Sequence, residues 1–258
     1  MNEAGSMIAV LATLIVAAAS GLVGVFALSR RMTLAADALS HVALPGLGVA
    51  LLLKINPLIG GAAALIFGAL LVWALERRPR IAPETVIGVV FSASLAIGSL
   101  LIPTEEELLE ALFGDLGALK FSEALIGIAF GLIVIALILF LKEKLTLAFI
   151  SADLAKTSGL NVERLNLAFL LMFAITVILG LNFLGVLLMG SLIIVPAATS
   201  RNLAKSFNAD LLISSSLASF AVALGLFLAG RLGTAIGPTI ISVAAGLFFL
   251  SLIFKKQS

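Results

Sequence analysis

The sequence predicts an all-α, polytopic integral membrane protein, and three observations carry that class. Of 258 residues, 62% are hydrophobic and only 12% charged, against about a quarter charged in an ordinary soluble domain. The few charges cluster, leaving uncharged runs of about 20 residues, which is the length of helix that crosses a hydrocarbon core of about 30 Å. The basic clusters between those runs also fall in alternate connections along the chain.

The first run, 7–29, follows MNEAGS, which lacks the positive region of a cleaved signal peptide, so it is expected to stay as the first helix. A second run, 55–75, is entered through Asn56 and Pro57 and closed by Glu76, Arg77, Arg78, Pro79 and Arg80. A third, 85–104, ends at Pro103 and an acidic stretch, and 124–141 is the fourth. Residues 165–200 are 36 in a row without a charge. As one straight helix they would reach about 54 Å, too long for the bilayer, so they must fold back. The sequence GLNFLG over 180–185 is the expected turn. Runs 211–230 and 232–254 supply the last two spans, ahead of Lys255 and Lys256.

Residues 37–53 remain. This stretch is short, holds Asp37 and His41, and contains Pro45 and Gly46. It is expected to be a short helix, a helix broken at Pro45 and Gly46, or a segment that enters the membrane part-way. Irregular backbone at membrane depth is tolerated where protein shields it or a wet cavity faces it, so such a segment points at a pathway. The total is eight or nine spans in a single transmembrane domain, 1–258.

The basic clusters at Arg30 and Arg31, at 76–80, at Lys142, Lys144 and Lys156, at Arg201 and Lys205, and at the C-terminal lysines fall in alternate connections. The positive-inside rule puts them in the cytoplasm, with the N-terminus outside and the C-terminus inside. The opposite connections carry Glu3, the run Glu105, Glu106 and Glu107, then Glu110 and Asp115. That run is expected to be a solvated cap.

Several activities are excluded by what is missing. There is no cysteine, so disulfides, thiolate metal sites and cysteine nucleophiles are out. The chain has no phosphate loop, no H-E-x-x-H zinc site and no G-x-S-x-G elbow. A net charge of +2 gives no argument for nucleic acid.

His41 is the only histidine, and Asp37 precedes it by four residues. On a helix that spacing puts both side chains on one face. A carboxylate and an imidazole suit zinc or manganese, and two protein ligands alone would hold the ion loosely, as a transport path requires. The same spacing fits Asp37 capping a helix while His41 bonds a backbone carbonyl. Between Lys142 and Arg164, Ser151 reads as the cap of a short helix and Gly159 as its stop. This connection fits either a docking element or a solvated loop with one helical turn. Small residues around Pro196 permit close helix packing and a kink.

RRMTLAADALSHVALPG (30–46), LFGDL (112–116), ISADLAKTSGL (150–160) and SLIIVPAATSRNLA (191–204) together resemble the zinc and manganese family of ABC transporter permeases, in the family's order. The likeness continues through GPTIISVAAGLFFLSLIFKK at the end of the chain. It implies the membrane subunit of an ABC importer, itself not an enzyme, seated in the cell (inner) membrane. It further implies a homodimer, separate cytoplasmic ATPase subunits and an external metal-binding protein. No cofactor is expected to be bound permanently; zinc or manganese is the cargo. Asp37 and His41 match the family's metal-path residues, and Asp153, Ala155 and Gly159 match its ATPase-coupling element, about 150–163. One departure concerns selectivity: many relatives place Asp or His just ahead of the last Gly-Pro, where this chain has Ile236 before Gly237 and Pro238. The expected mechanism is alternating access. The rivals are a permease for chelated iron or another cofactor and a carrier driven by protons or sodium.

Overall fold

In lipid, every backbone N–H and C=O must find a partner within the protein, and helices achieve this inside one segment. The computed structural model describes residues 3–30, 38, 40–75, 83–114 and 120–254, and every regular element among them is a helix. In chain order these are α1 (Glu3–Ser29), α2 (Ala43–Leu52), α3 (Pro57–Leu75), α4 (Pro83–Leu101), α5 (Glu105–Phe113), α6 (Phe121–Ile150), α7 (Ala152–Thr157), α8 (Val162–Leu203), α9 (Phe207–Leu232) and α10 (Ile236–Ile253). Seven stretches of these helices are long and apolar enough to cross a membrane, and α2 and α4 add shorter apolar segments. That agrees with eight or nine passages.

α1 is the central mast. Ala12, Val16, Ala19, Val23 and Phe26 are all buried, and the helix packs against α6, α8 and α9. A helix that is apolar all round belongs in the interior.

α8 reverses direction, as its length demands. Phe26, near the end of α1, lies 6.4 Å from Phe169, while Ser29, three residues on, accepts a hydrogen bond from Arg201. In a straight helix residues 169 and 201 would be about 48 Å apart. The break is at Gly185 (φ 74°, ψ 169°), inside the expected turn. A side chain disfavours this backbone region, and space disfavours it further, because Gly114 (φ 71°) presses its own backbone against Leu184 and Gly185. The glycine of LFGDL thus seats the turn of α8. Asp115 of the same motif lies outside the described residues.

One expectation needs correction and another needs extending. α2 is a short helix, but Pro45 does not break it: Pro45 stands in its first turn, where a missing N–H costs no hydrogen bond. Gly46 instead lets α2 approach Gly60 of α3 backbone to backbone. The helix of the fourth span also runs on past Leu141. α6 continues through Lys142, Glu143 and Lys144 to Ile150, because nothing in that sequence breaks a helix. At 30 residues it is about 45 Å long, so its last turns pass the hydrocarbon boundary.

The helices define two ends. Arg30, Lys142, Lys144, Lys156, Arg164, Arg201 and Lys205 share one, the basic end. Glu105, Glu106 and Glu107 lie at the other, the acidic end, with the Gly114–Gly185 contact. Thr104 caps the acidic run that starts α5: the Glu107 amide donates to Thr104 Oγ1 (3.2 Å) and the Thr104 hydroxyl donates to Glu107 Oε2 (3.1 Å). Pro196 lies within a part of α8 that keeps helical dihedral angles, and Gly24 of α1 meets the Ile193 carbonyl and Ala197 beside it. The close approach expected there is present.

Candidate metal path and coupling element

Ala38, Ser40 and His41 are helical, and the chain passes through Val42 into α2. Val42 packs on Gly68, near the middle of the 19-residue α3. The His41 ring stands edge-on to Phe91, near the middle of the 19-residue α4, with centroids 5.0 Å apart and planes at 81°. The imidazole therefore sits about half-way across, and it is 5% exposed. Ser40 beside it is fully buried. An ionisable ring at that depth is costly to keep and marks a pathway more often than a packing choice. Asp37, the other expected ligand, lies outside the described residues. Among the described residues no three His, Cys, Asp or Glu side chains come together as a metal-holding group. Among the described residues of 38–42, the side chains able to ligate a metal are the His41 ring and the Ser40 hydroxyl.

A cleft of about 520 Å³ adjoins this region, lined by Leu44, Ser92, Leu95, Ser99, Leu108 and Leu112. Leu44 lies one turn beyond His41, and Leu108 and Leu112 belong to α5 at the acidic end. Ile236, at the departure from the family pattern, begins α10, and Gly237 packs on Phe113 at that same end.

The short helix expected between Ser151 and Gly159 is present as α7. The Ser151 hydroxyl accepts from the Leu154 amide at 3.3 Å, which is the N-cap read from the sequence. At the other end the Leu160 amide bonds the Ala155 carbonyl (2.9 Å) and the Gly159 amide bonds the Lys156 carbonyl (3.0 Å). With Gly159 at φ 78°, these two bonds make a Schellman stop. Asp153 and Gly159 are exposed, whereas Ala155 is fully buried and seats α7 on the body of the protein. Beside α7 lies a groove of about 420 Å³ whose walls include Lys142, Thr146, Ile150, Leu154, Phe207 and Asn208.

The sequence reading passed over Asp210. It is 4% exposed, and its carboxylate accepts from the Ser200 hydroxyl and pairs with Arg201 Nε at 2.8 Å. Arg201 also donates to Ser29, so one network joins α1, α8 and α9 at the basic end. Opposite charges on the two sides of the short turn 204–206 were the available signal.

Residues 6–255 match the ABC 3 transport family. The chain belongs to that family. Among its relatives is the manganese transport system membrane protein MntC of Listeria monocytogenes serovar 1/2a, 32% identical over 253 residues, 96% of this chain and 90% of that one. The high-affinity zinc uptake system membrane protein ZnuB of Haemophilus influenzae is 32% identical over 240 residues, 91% of each chain. The solved structure of PsaBC from Streptococcus pneumoniae in complex with Fab superposes with a TM-score of 0.84 at 27% identity, covering 95% of this chain and 90% of that chain. This chain is a multi-span α-helical membrane protein of the ABC 3 transport family.

Proposed function

We propose that this chain is the permease subunit of an ATP-driven importer for zinc or manganese. The observation that carries the reading is the chain's one imidazole, His41, buried at mid-depth just ahead of the short helix α2. Relatives named for manganese and for zinc support it. In this reading the whole chain, 1–258, is one permease domain that works as a homodimer. An external binding protein releases the ion at the acidic end, and Asp37 and His41 hold it transiently. Asp153, Ala155 and Gly159 belong to the segment, about 150–163, that follows a cytoplasmic ATPase. ATP hydrolysis belongs to that partner, and the ion is cargo rather than a resident cofactor. The basic end faces the cytoplasm of a cell (inner) membrane, with the N-terminus outside and the C-terminus inside.

The test is cellular zinc, manganese and iron content in cells stripped of their own uptake systems. These cells carry the permease with its ATPase and binding protein, as wild type, Asp37→Ala or His41→Ala. The expected result is that wild type raises zinc or manganese and both variants abolish the rise at normal membrane levels. Variants that transport like wild type would make 37–41 a structural segment only. A rise in iron alone would favour the chelated-iron permease, and a rise without the ATPase a secondary carrier. Protons compete with the ion for the imidazole, so uptake should fall as the medium is acidified. Uptake that stays flat from neutral to acid pH would remove His41 as a ligand.

A further inference from the structure

We propose that Phe26, Phe149, Phe169 and Phe207 are positioning residues that transmit movement of α7 to the segment bearing His41. This rests on the permease reading above. The four rings come from four places in the chain: α1, the end of α6, the first half of α8 and the start of α9. Phe149 stands edge-on to Phe26 at 6.3 Å and to Phe169 at 5.3 Å. Phe26 in turn meets Phe207 edge-on at 5.4 Å and Phe169 at 6.4 Å. Phe26 and Phe169 are 0% and 1% exposed.

Both ends of this cluster lead somewhere. Phe149 is two residues ahead of Ser151, the cap of α7, so a push on α7 reaches its ring through two residues, Ile150 and Ser151. On the other side, the Arg30 guanidinium lies over the Phe149 ring at 5.1 Å from its centroid. Arg30 opens the segment that reaches His41 eleven residues later. The ring nearest α7 therefore holds the first residue of the metal-bearing stretch directly, by a cation–π contact. It holds α1 through Phe26 as well. Close-packed rings in edge-to-face geometry do not deform continuously, so a displacement on one side is passed on rather than absorbed.

Core packing alone would also bring phenylalanines together, and the two roles differ in what they change. Loss of packing lowers the amount of active complex, so hydrolysis and transport fall together. Loss of transmission leaves hydrolysis running and lowers the ions moved per ATP. The experiment uses the permease with its ATPase and binding protein in proteoliposomes, supplied with Zn²⁺ or Mn²⁺, and follows both activities in the same vesicles. Phe149→Leu keeps apolar volume and removes the ring. It is expected to retain ATPase binding and hydrolysis while uptake per ATP falls by at least about fivefold. Phe130→Leu, on an exposed face of the same helix (46% exposed), is expected to leave that ratio unchanged. Phe26→Leu combined with Phe149→Leu should be no worse than the worse single variant, since both act through one contact. Proportional loss of hydrolysis and uptake, or an unchanged ratio in Phe149→Leu, overturns the proposal. A wild-type complex that moves neither ion overturns the metal reading instead, a result that is distinct from a changed ratio.

Discussion

Asp210 and Arg201 are paired, but they do not depend on each other equally. The carboxylate is buried, with a side chain 5% exposed, while Arg201 is 45% exposed and can turn to water. Arg201→Ala leaves a buried charge facing little more than the Ser200 hydroxyl, at a cost of about 3 kcal/mol. Asp210→Asn keeps an acceptor and releases Arg201 to solvent, at a cost of about 1 kcal/mol. Thermal unfolding of the purified protein in detergent should rank Arg201→Ala as the less stable variant, and equal or reversed midpoints would contradict the burial argument. Glycines offer a similar comparison. Gly185 and Gly233 both have positive φ, but a side chain at Gly233 meets open space, whereas one at Gly185 meets the backbone of Leu112 and Gly114. Gly233→Ala should lose about 1 kcal/mol from backbone strain alone. Gly185→Ala adds a clash that cannot relax, so it should accumulate poorly in the membrane while Gly233→Ala accumulates normally.

Among the elements, α7 has the narrowest margin. Six residues make fewer than two turns, and isolated helices that short are unstable in water. Its caps therefore carry weight: Ser151→Ala should cost about 1 kcal/mol of local stability. Amide hydrogen exchange should speed up across residues 152–160 with the rest of the protein unchanged, and protection equal to wild type would show that packing through Ala155 suffices. Both caps were legible in the sequence, because a cap is chemistry between neighbours. The end of α6 was not legible for a related reason. Charge marks where lipid ends, whereas only a breaker marks where a helix ends, and none stands between Leu141 and Ile150. Pro45 misled in the same way, since a proline breaks a helix or starts one according to where the first turn falls. The reversal at Gly185 was legible because length alone forced it.

For the whole molecule, the membrane leaves helices as the only regular choice for this chain, so the count of spans and their alternation could be read from composition and charge. What could not be read was which distant residues meet. Ser29 and Arg201 are 172 positions apart, and the cluster of four phenylalanines draws on four helices. Orientation is the property of the whole that joins these parts into an importer, and it can be tested directly because the chain has no cysteine. Single cysteines at Lys156, on α7, and at Glu106, on α5, would both be exposed, at opposite ends. A membrane-impermeant maleimide applied to intact cells should label Glu106→Cys and spare Lys156→Cys, and inverted vesicles should reverse the pattern. Lys and Arg near span ends set orientation, whereas Glu143 and Glu163 at the basic end contribute little. Labelling of Lys156→Cys from outside would put α7 out of reach of any cytoplasmic ATPase. The cleft beside His41 would then open to the cytoplasm, and the importer reading would fall even if both expected metal ligands proved essential.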